Sequence, residues 1–103
     1  MSANTTASYN TAVGFDAMNQ NTTGASNTAV GKSSLRSNTT GGYNVAIGDS
    51  ALVYNTTASS NTAVGYQAGY SNTTGTQNVF VGTTAGYSNT TVSYTHLTLP
   101  TIL

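Results

Sequence analysis

Apolar and polar positions alternate along this chain only in short bursts, and the bursts recur. In Asn44-Val-Ala-Ile-Gly48, Val45 and Ile47 fall on one face of an extended segment and Ala46 on the other. The same burst returns as Thr11/Val13, Thr28/Val30, Thr62/Val64 and Val79/Val81. A glycine closes each one: Gly14, Gly31, Gly48, Gly65 and Gly82. The pattern predicts a five-residue strand whose Val13, Val30, Ile47, Val64 and Val81 form the repeat core, followed by a glycine bend. The residues between them, Ala12, Ala29, Ala46, Ala63 and Phe80, then make an outward stripe suited to close packing against another chain. Three residues beyond each glycine comes a small residue (Ala17, Ser34, Ala51, Ala68, Ala85), which predicts a second short strand near Ala68.

The bursts belong to a strict repeat. Asn-Thr-Thr begins at Asn4, Asn21, Asn38, Asn55, Asn72 and Asn89, always 17 residues apart. A second asparagine keeps the same interval at Asn10, Asn27, Asn44, Asn61 and Asn78. Seventeen residues is not near a whole number of 3.6-residue helical turns, and Gly, Asn and β-branched residues are weak helix formers. One unit therefore reads as one coil: strand, glycine bend, second strand, and an Asn-Thr-Thr corner. Asn21, Asn38, Asn55 and Asn72 suit that corner because asparagine tolerates the left-handed conformation and bonds its own backbone. The fold class predicted is all-β, a parallel β-solenoid of about five coils. It would rise about 4.8 Å per coil, or roughly 24 Å in all.

Composition narrows the partners. Asn and Thr supply about a third of the 103 residues, and Asp16, Asp49, Lys32 and Arg36 are the only charged ones. A chain so poor in charge and proline does not have the composition of a disordered segment. Nor does it carry a basic stripe for nucleic acid or the roughly 18 apolar residues of a membrane span. No basic n-region and apolar h-region open the chain at Met1. There is no cysteine to staple it, and a thin coil buries little. Burying one Val is worth about 1.5–3 kcal/mol, against about 1–2 kcal/mol to order each residue's backbone. Association with further copies of the chain is the expected remedy.

The unit Asn61-Thr-Ala-Val-Gly-Tyr-Gln-Ala-Gly-Tyr-Ser-Asn-Thr-Thr-Gly75 resembles arrays in phage tail-fibre-like proteins that end in a self-cleaving chaperone domain. Asn44-Val-Ala-Ile-Gly48 is similar to the Val-Ala-Ile-Gly core of head repeats in trimeric autotransporter adhesins. The likeness covers residues 4 to 91. It implies a left-handed parallel β-roll with three chains packed around one axis, a homotrimer. The 17-residue period departs from the shorter one of adhesin heads, so the tail-fibre resemblance is the nearer.

Candidate chemistry is sparse. Gly31-Lys32-Ser33 suggests a phosphate-binding loop, but the glycine required five positions before the Gly-Lys step is replaced by Ser26. Asp16 and Asp49 occupy different places in the repeat and cannot act as a carboxylate pair. Calcium-binding β-helices need an Asp in every repeat, and His96 has no acid in register to orient it. The sequence thus predicts no catalytic residue, metal or cofactor, and no enzyme. Each Asn-Thr-Thr is formally a glycosylation acceptor, although corner asparagines already account for the spacing. The tyrosines could contact glycans or proteins through amphipathic rings.

Residues 92–103 depart from the repeat and contain the only His and the only Pro. Val92 to Thr101 resembles the in-frame translation of a transposon-library sequencing adapter. The expected organisation is therefore 1–91 as repeats cut from a longer array, and 92–103 as a non-native tail. The expected function is a structural or adhesive segment of a trimeric tail fibre or surface adhesin. It would sit on a virion fibre or outside a cell, with itself as partner and a host surface glycan or protein as target. The alternative is ice binding by a threonine-rich solenoid face, motivated by Thr22/Thr23 and Thr39/Thr40. Adjacent threonines point to opposite faces of a strand, whereas a flat array would want them at alternate positions.

Overall fold

A computed structural model describes residues 4–98. Six three-residue strands, β1 (Thr11–Val13), β2 (Thr28–Val30), β3 (Val45–Ile47), β4 (Thr62–Val64), β5 (Val79–Val81) and β6 (His96–Thr98), form one parallel sheet in sequence order. Each pairs with the next in strict 17-residue register, Thr28 on Val45, Ala29 on Ala46, Val30 on Ile47. The chain is an all-β parallel solenoid of about five coils, and no helix occurs among the described residues.

The two faces of the strand are exchanged relative to the sequence reading. Ala29, Ala46, Ala63 and Phe80 are fully buried and Ala12 packs against the same core. Val13, Val30, Ile47, Val64 and Val81 instead stand 36–59 % exposed on the outer face. The reason lies across the coil. Met18, Leu35 and Leu52 project inward from the opposite wall and are fully buried. A coil this narrow accommodates one large side chain per level, so the strand must offer alanine. Where Phe80 replaces alanine, the opposite wall carries Gly69 and Gly86. A Cβ at Gly69 would lie 2.8 Å from Phe80 Cδ2, and one at Gly86 would fall against the same ring.

That opposite wall is not a second strand. Residues 66–71 form turns, as do their equivalents, because the wall alternates into left-handed backbone. Asp16, Ser33 and Ser50 have φ near 60°, at 59°, 58° and 61°, and Met18, Leu35 and Leu52 share a φ of 50°. Bonds between coils persist without strand geometry: Leu35 N–H donates to the Ala51 carbonyl at 3.0 Å and Ser33 N–H to Phe15 at 2.8 Å. The bend glycines Gly14, Gly31, Gly48, Gly65 and Gly82 have φ between 122° and 134°, a region that glycine alone enters without strain.

The remaining wall is held by two internal files of asparagine. Asn21, Asn38, Asn55 and Asn72 are not left-handed corners. Their side chains turn inward and are fully buried. Each Nδ2 donates to the carbonyl three residues on, Asn38 to Gly41 at 2.9 Å, and to the Oδ1 one coil back, Asn38 to Asn21 at 2.7 Å. In the second file, Asn27 Oδ1 accepts from the Asn44 backbone N–H at 2.9 Å, while Asn44 Nδ2 donates to the Ala58 carbonyl at 2.9 Å. No buried side-chain nitrogen or oxygen among the described residues lacks a partner. The left-handed corner falls to Tyr9, Ser26, Tyr43, Ser60, Gln77 and Tyr94, with φ of 57–64°.

The coil also continues past Thr91. Tyr94 adopts the corner geometry, Ser93 Oγ accepts from Thr76 N–H at 2.9 Å, and Thr95 N–H donates to Asn78 Oδ1 at 2.7 Å. Leu97 then takes the alanine place beside Phe80. Backbone bonding and one inward apolar residue suffice to extend the register. Residues 99–103 lie outside the described residues.

Candidate functional site

Three surfaces run along the solenoid, each one residue per coil. The first is the outer face of the sheet, where Val13, Val30, Ile47, Val64 and Val81 make an exposed aliphatic file. Beside it runs the half-buried file Thr28, Val45, Thr62 and Val79, two positions earlier on the same strands. No charged residue falls in either file from β1 to β5. The file expected to form the interface, Ala12, Ala29, Ala46, Ala63 and Phe80, is inside the coil, and the file expected to form the core faces solvent. The candidate interface therefore moves to the valines.

The second surface carries threonine. The paired threonines split as alternation requires. Thr22, Thr39, Thr56 and Thr73 are half-buried, and each hydroxyl donates to the threonine carbonyl of the next coil at 3.0–3.4 Å. Thr23, Thr40, Thr57 and Thr74 are exposed.

The third surface lies on the wall across the core from the strands. Arg36, Val53, Tyr70 and Tyr87 follow one another at 17-residue intervals, with Tyr54 beside Val53. Tyr70 and Tyr87 stack with ring centroids 4.6 Å apart and 6° between planes, and Tyr54 meets Tyr70 edge-on at 5.2 Å. Val53, one coil before Tyr70 in that file, is buried. A side-chain hydrogen bond with Tyr54 holds the Tyr70 phenol above its ordinary range, helped by desolvation and by repulsion from the neighbouring phenols and opposed by the Arg36 cation. Sequence reading noted the tyrosines singly; Tyr54, Tyr70 and Tyr87 become one strip only once coils are stacked.

The remaining motifs find structural places. Gly31, Ser33 and Ser34 spend their N–H groups on Val13, Phe15 and Gly31 carbonyls, so Gly31-Lys32-Ser33 has no cradle to offer a phosphate. Asp49 accepts from its neighbour Ser50 Oγ at 2.7 Å. Among the described residues no three His, Cys, Asp or Glu side chains gather. The Asn21, Asn38, Asn55 and Asn72 amides that a glycan would modify are buried donors, so glycosylation there is incompatible with the folded coil. Comparison with protein-family models, with curated proteins and with solved structures returned no match.

Proposed function

We propose that this chain is a segment of a homotrimeric fibre, a tail fibre or surface adhesin, that holds a recognition element away from a virion or cell and contributes to attachment. The observation that carries the reading is the exposed aliphatic file Val13, Val30, Ile47, Val64 and Val81. A contiguous apolar surface of this kind marks an interaction site, and its one-per-coil register suits copies of itself. Three solenoids related by an axis parallel to their own would place like coils at like heights, closing the assembly as cyclic symmetry requires. With the valine file turned to that axis, the tyrosine wall across the core faces outward. Introducing a charge at Ile47 is the discriminating perturbation. Ile47→Lys leaves the coil interior untouched, because the side chain points outward, but places three ammonium groups about one axis. A loss of the trimer with the β-sheet spectrum retained supports the reading; an unchanged trimer contradicts it.

A second reading, ice binding, draws support from one observation. Thr11/Val13, Thr28/Val30 and Thr62/Val64 point outward at alternate positions of neighbouring strands, the spacing a flat array needs and the Thr22/Thr23 pair lacks. It requires the same face to be open to water, so it belongs to a monomer. Freezing-point hysteresis of the purified chain tests it, and an absence of hysteresis removes it.

A further inference from the structure

We propose that the strip formed by Arg36, Tyr54, Tyr70 and Tyr87 binds an extended acidic polysaccharide lying along the solenoid axis. The case begins with shape. No concave cavity is present among the described residues, whereas small-molecule sites are concave and enclose most of their ligand. Protein partners in turn anchor aromatic or aliphatic side chains in pockets. A flat strip that repeats coil by coil suits a ligand that is itself a linear repeat.

The chemistry of the strip then selects the polymer. Tyr54 and Tyr87 are 41 % and 39 % exposed, and each offers an apolar ring with a hydroxyl at its edge, able to meet a sugar's C–H face and its hydroxyls together. The rings are held before any ligand arrives. Tyr70 and Tyr87 are stacked, and Tyr54 braces Tyr70 edge-on. Little side-chain entropy remains to be lost on binding. Ser71 and Ser88 continue the file of Tyr54 and add further hydroxyls. Arg36 stands in the same 17-residue file as Tyr70 and Tyr87, and its cation acts on the Tyr70 phenol. A guanidinium at one end of an otherwise neutral strip favours a carboxylate, which it can engage through two parallel hydrogen bonds. From Arg36 to Tyr87 is three coils, about 14 Å, and an extended pyranose chain advances by a distance close to one coil per sugar. A few successive uronate residues thus match the strip.

The proposal deepens the attachment role and rests on the fibre reading for the outward direction of the strip. The test is a tyrosine-fluorescence titration of the full chain with polygalacturonate, and with dextran as the uncharged comparison, solution mass being recorded on the same samples. Expected is saturable binding of polygalacturonate at least tenfold tighter than dextran. Arg36→Gln should weaken it several-fold at an unchanged melting temperature, and Tyr87→Ala should abolish it, both with the β-sheet spectrum and mass retained. Failure of polygalacturonate to bind, equal binding of dextran, or parent-like binding by both variants overturns the proposal. A monomeric mass beside normal binding overturns the fibre reading alone.

Discussion

The exchange of size between Phe80 and the facing glycines allows a quantitative test of how the core is built. In the second and third coils the levels pair Ala29 with Leu35 and Ala46 with Leu52; around the fifth, Phe80 stands between Gly69 and Gly86. Phe80→Ala would leave a void at a fully buried site, at a cost of about 3–5 kcal/mol. Gly86→Leu alone would drive a side chain into the Phe80 ring, and overpacking of that kind costs about 1–3 kcal/mol. The backbone itself does not forbid leucine there: Gly86 has a φ of 65°, and Leu35 and Leu52 already hold 50° in the equivalent places. Combined, Phe80→Ala and Gly86→Leu recreate the alanine–leucine level of the earlier coils. If the two losses were independent they would sum to about 4–8 kcal/mol. The double variant should instead lie within about 2 kcal/mol of the parent, a strong coupling between touching residues. Urea unfolding followed by circular dichroism, at a fixed protein concentration, measures all four corners of the cycle. Additive losses, or a Phe80→Ala variant as stable as the parent, would refute size compensation as the rule of this core.

Three further outcomes follow from the backbone and the polar interior. Asn38→Ala should destabilise the coil by at least the about 1–3 kcal/mol of one buried orphan, since the Asn21 Oδ1 loses its donor and Asn55 Nδ2 one of its two acceptors, while the Gly41 carbonyl keeps Asn27 Nδ2; thermal unfolding reads it. Gly48→Ala should be as damaging or worse, as its Cβ would sit 2.5 Å from the Gly65 carbonyl oxygen at a φ of 134°, and such backbone strain alone costs about 1–3 kcal/mol. At high pH the tyrosine strip should loosen late. The raised Tyr70 phenol contributes stability that is complete below its ordinary value of 10.0 and is lost as pH climbs through the raised value. Tyr54→Phe, which removes the hydrogen bond, should bring the Tyr70 tyrosinate band in at lower pH; an unmoved band contradicts the assignment of cause.

The solenoid was legible in the sequence because its signal is spacing, and spacing survives whatever the side chains do. Strand positions and bend glycines follow from that period. The inside and outside of the strand did not. Alternation shows that Val45 and Ile47 share a face opposite Ala46, but size suggests the wrong face as core unless the opposite wall is known. That wall was hidden because its inward file reads Met18, Leu35, Leu52, Gly69, Gly86, which looks variable until Phe80 is set against the glycines. The second strand expected near Ala68 failed for a local reason, the left-handed residues Gln67 and Gly69 that flank it. Left-handed serine, glutamine and tyrosine at the corner leave no trace in composition. The asparagine files carried the clearest trace, yet their position inside the coil follows from the carbonyls they reach, which only the closed turn brings within range. The tyrosine strip needed stacking of the 17-residue units to exist at all.

The association of the chain is the property on which the functional account depends, and light scattering of the purified full chain measures it directly. The account predicts a particle of three times the 10.5 kDa chain, reduced to one chain by Ile47→Lys with the β-sheet spectrum intact. A folded, compact monomer of the unaltered chain, with Val13, Val30, Ile47, Val64 and Val81 left open to water, would contradict it.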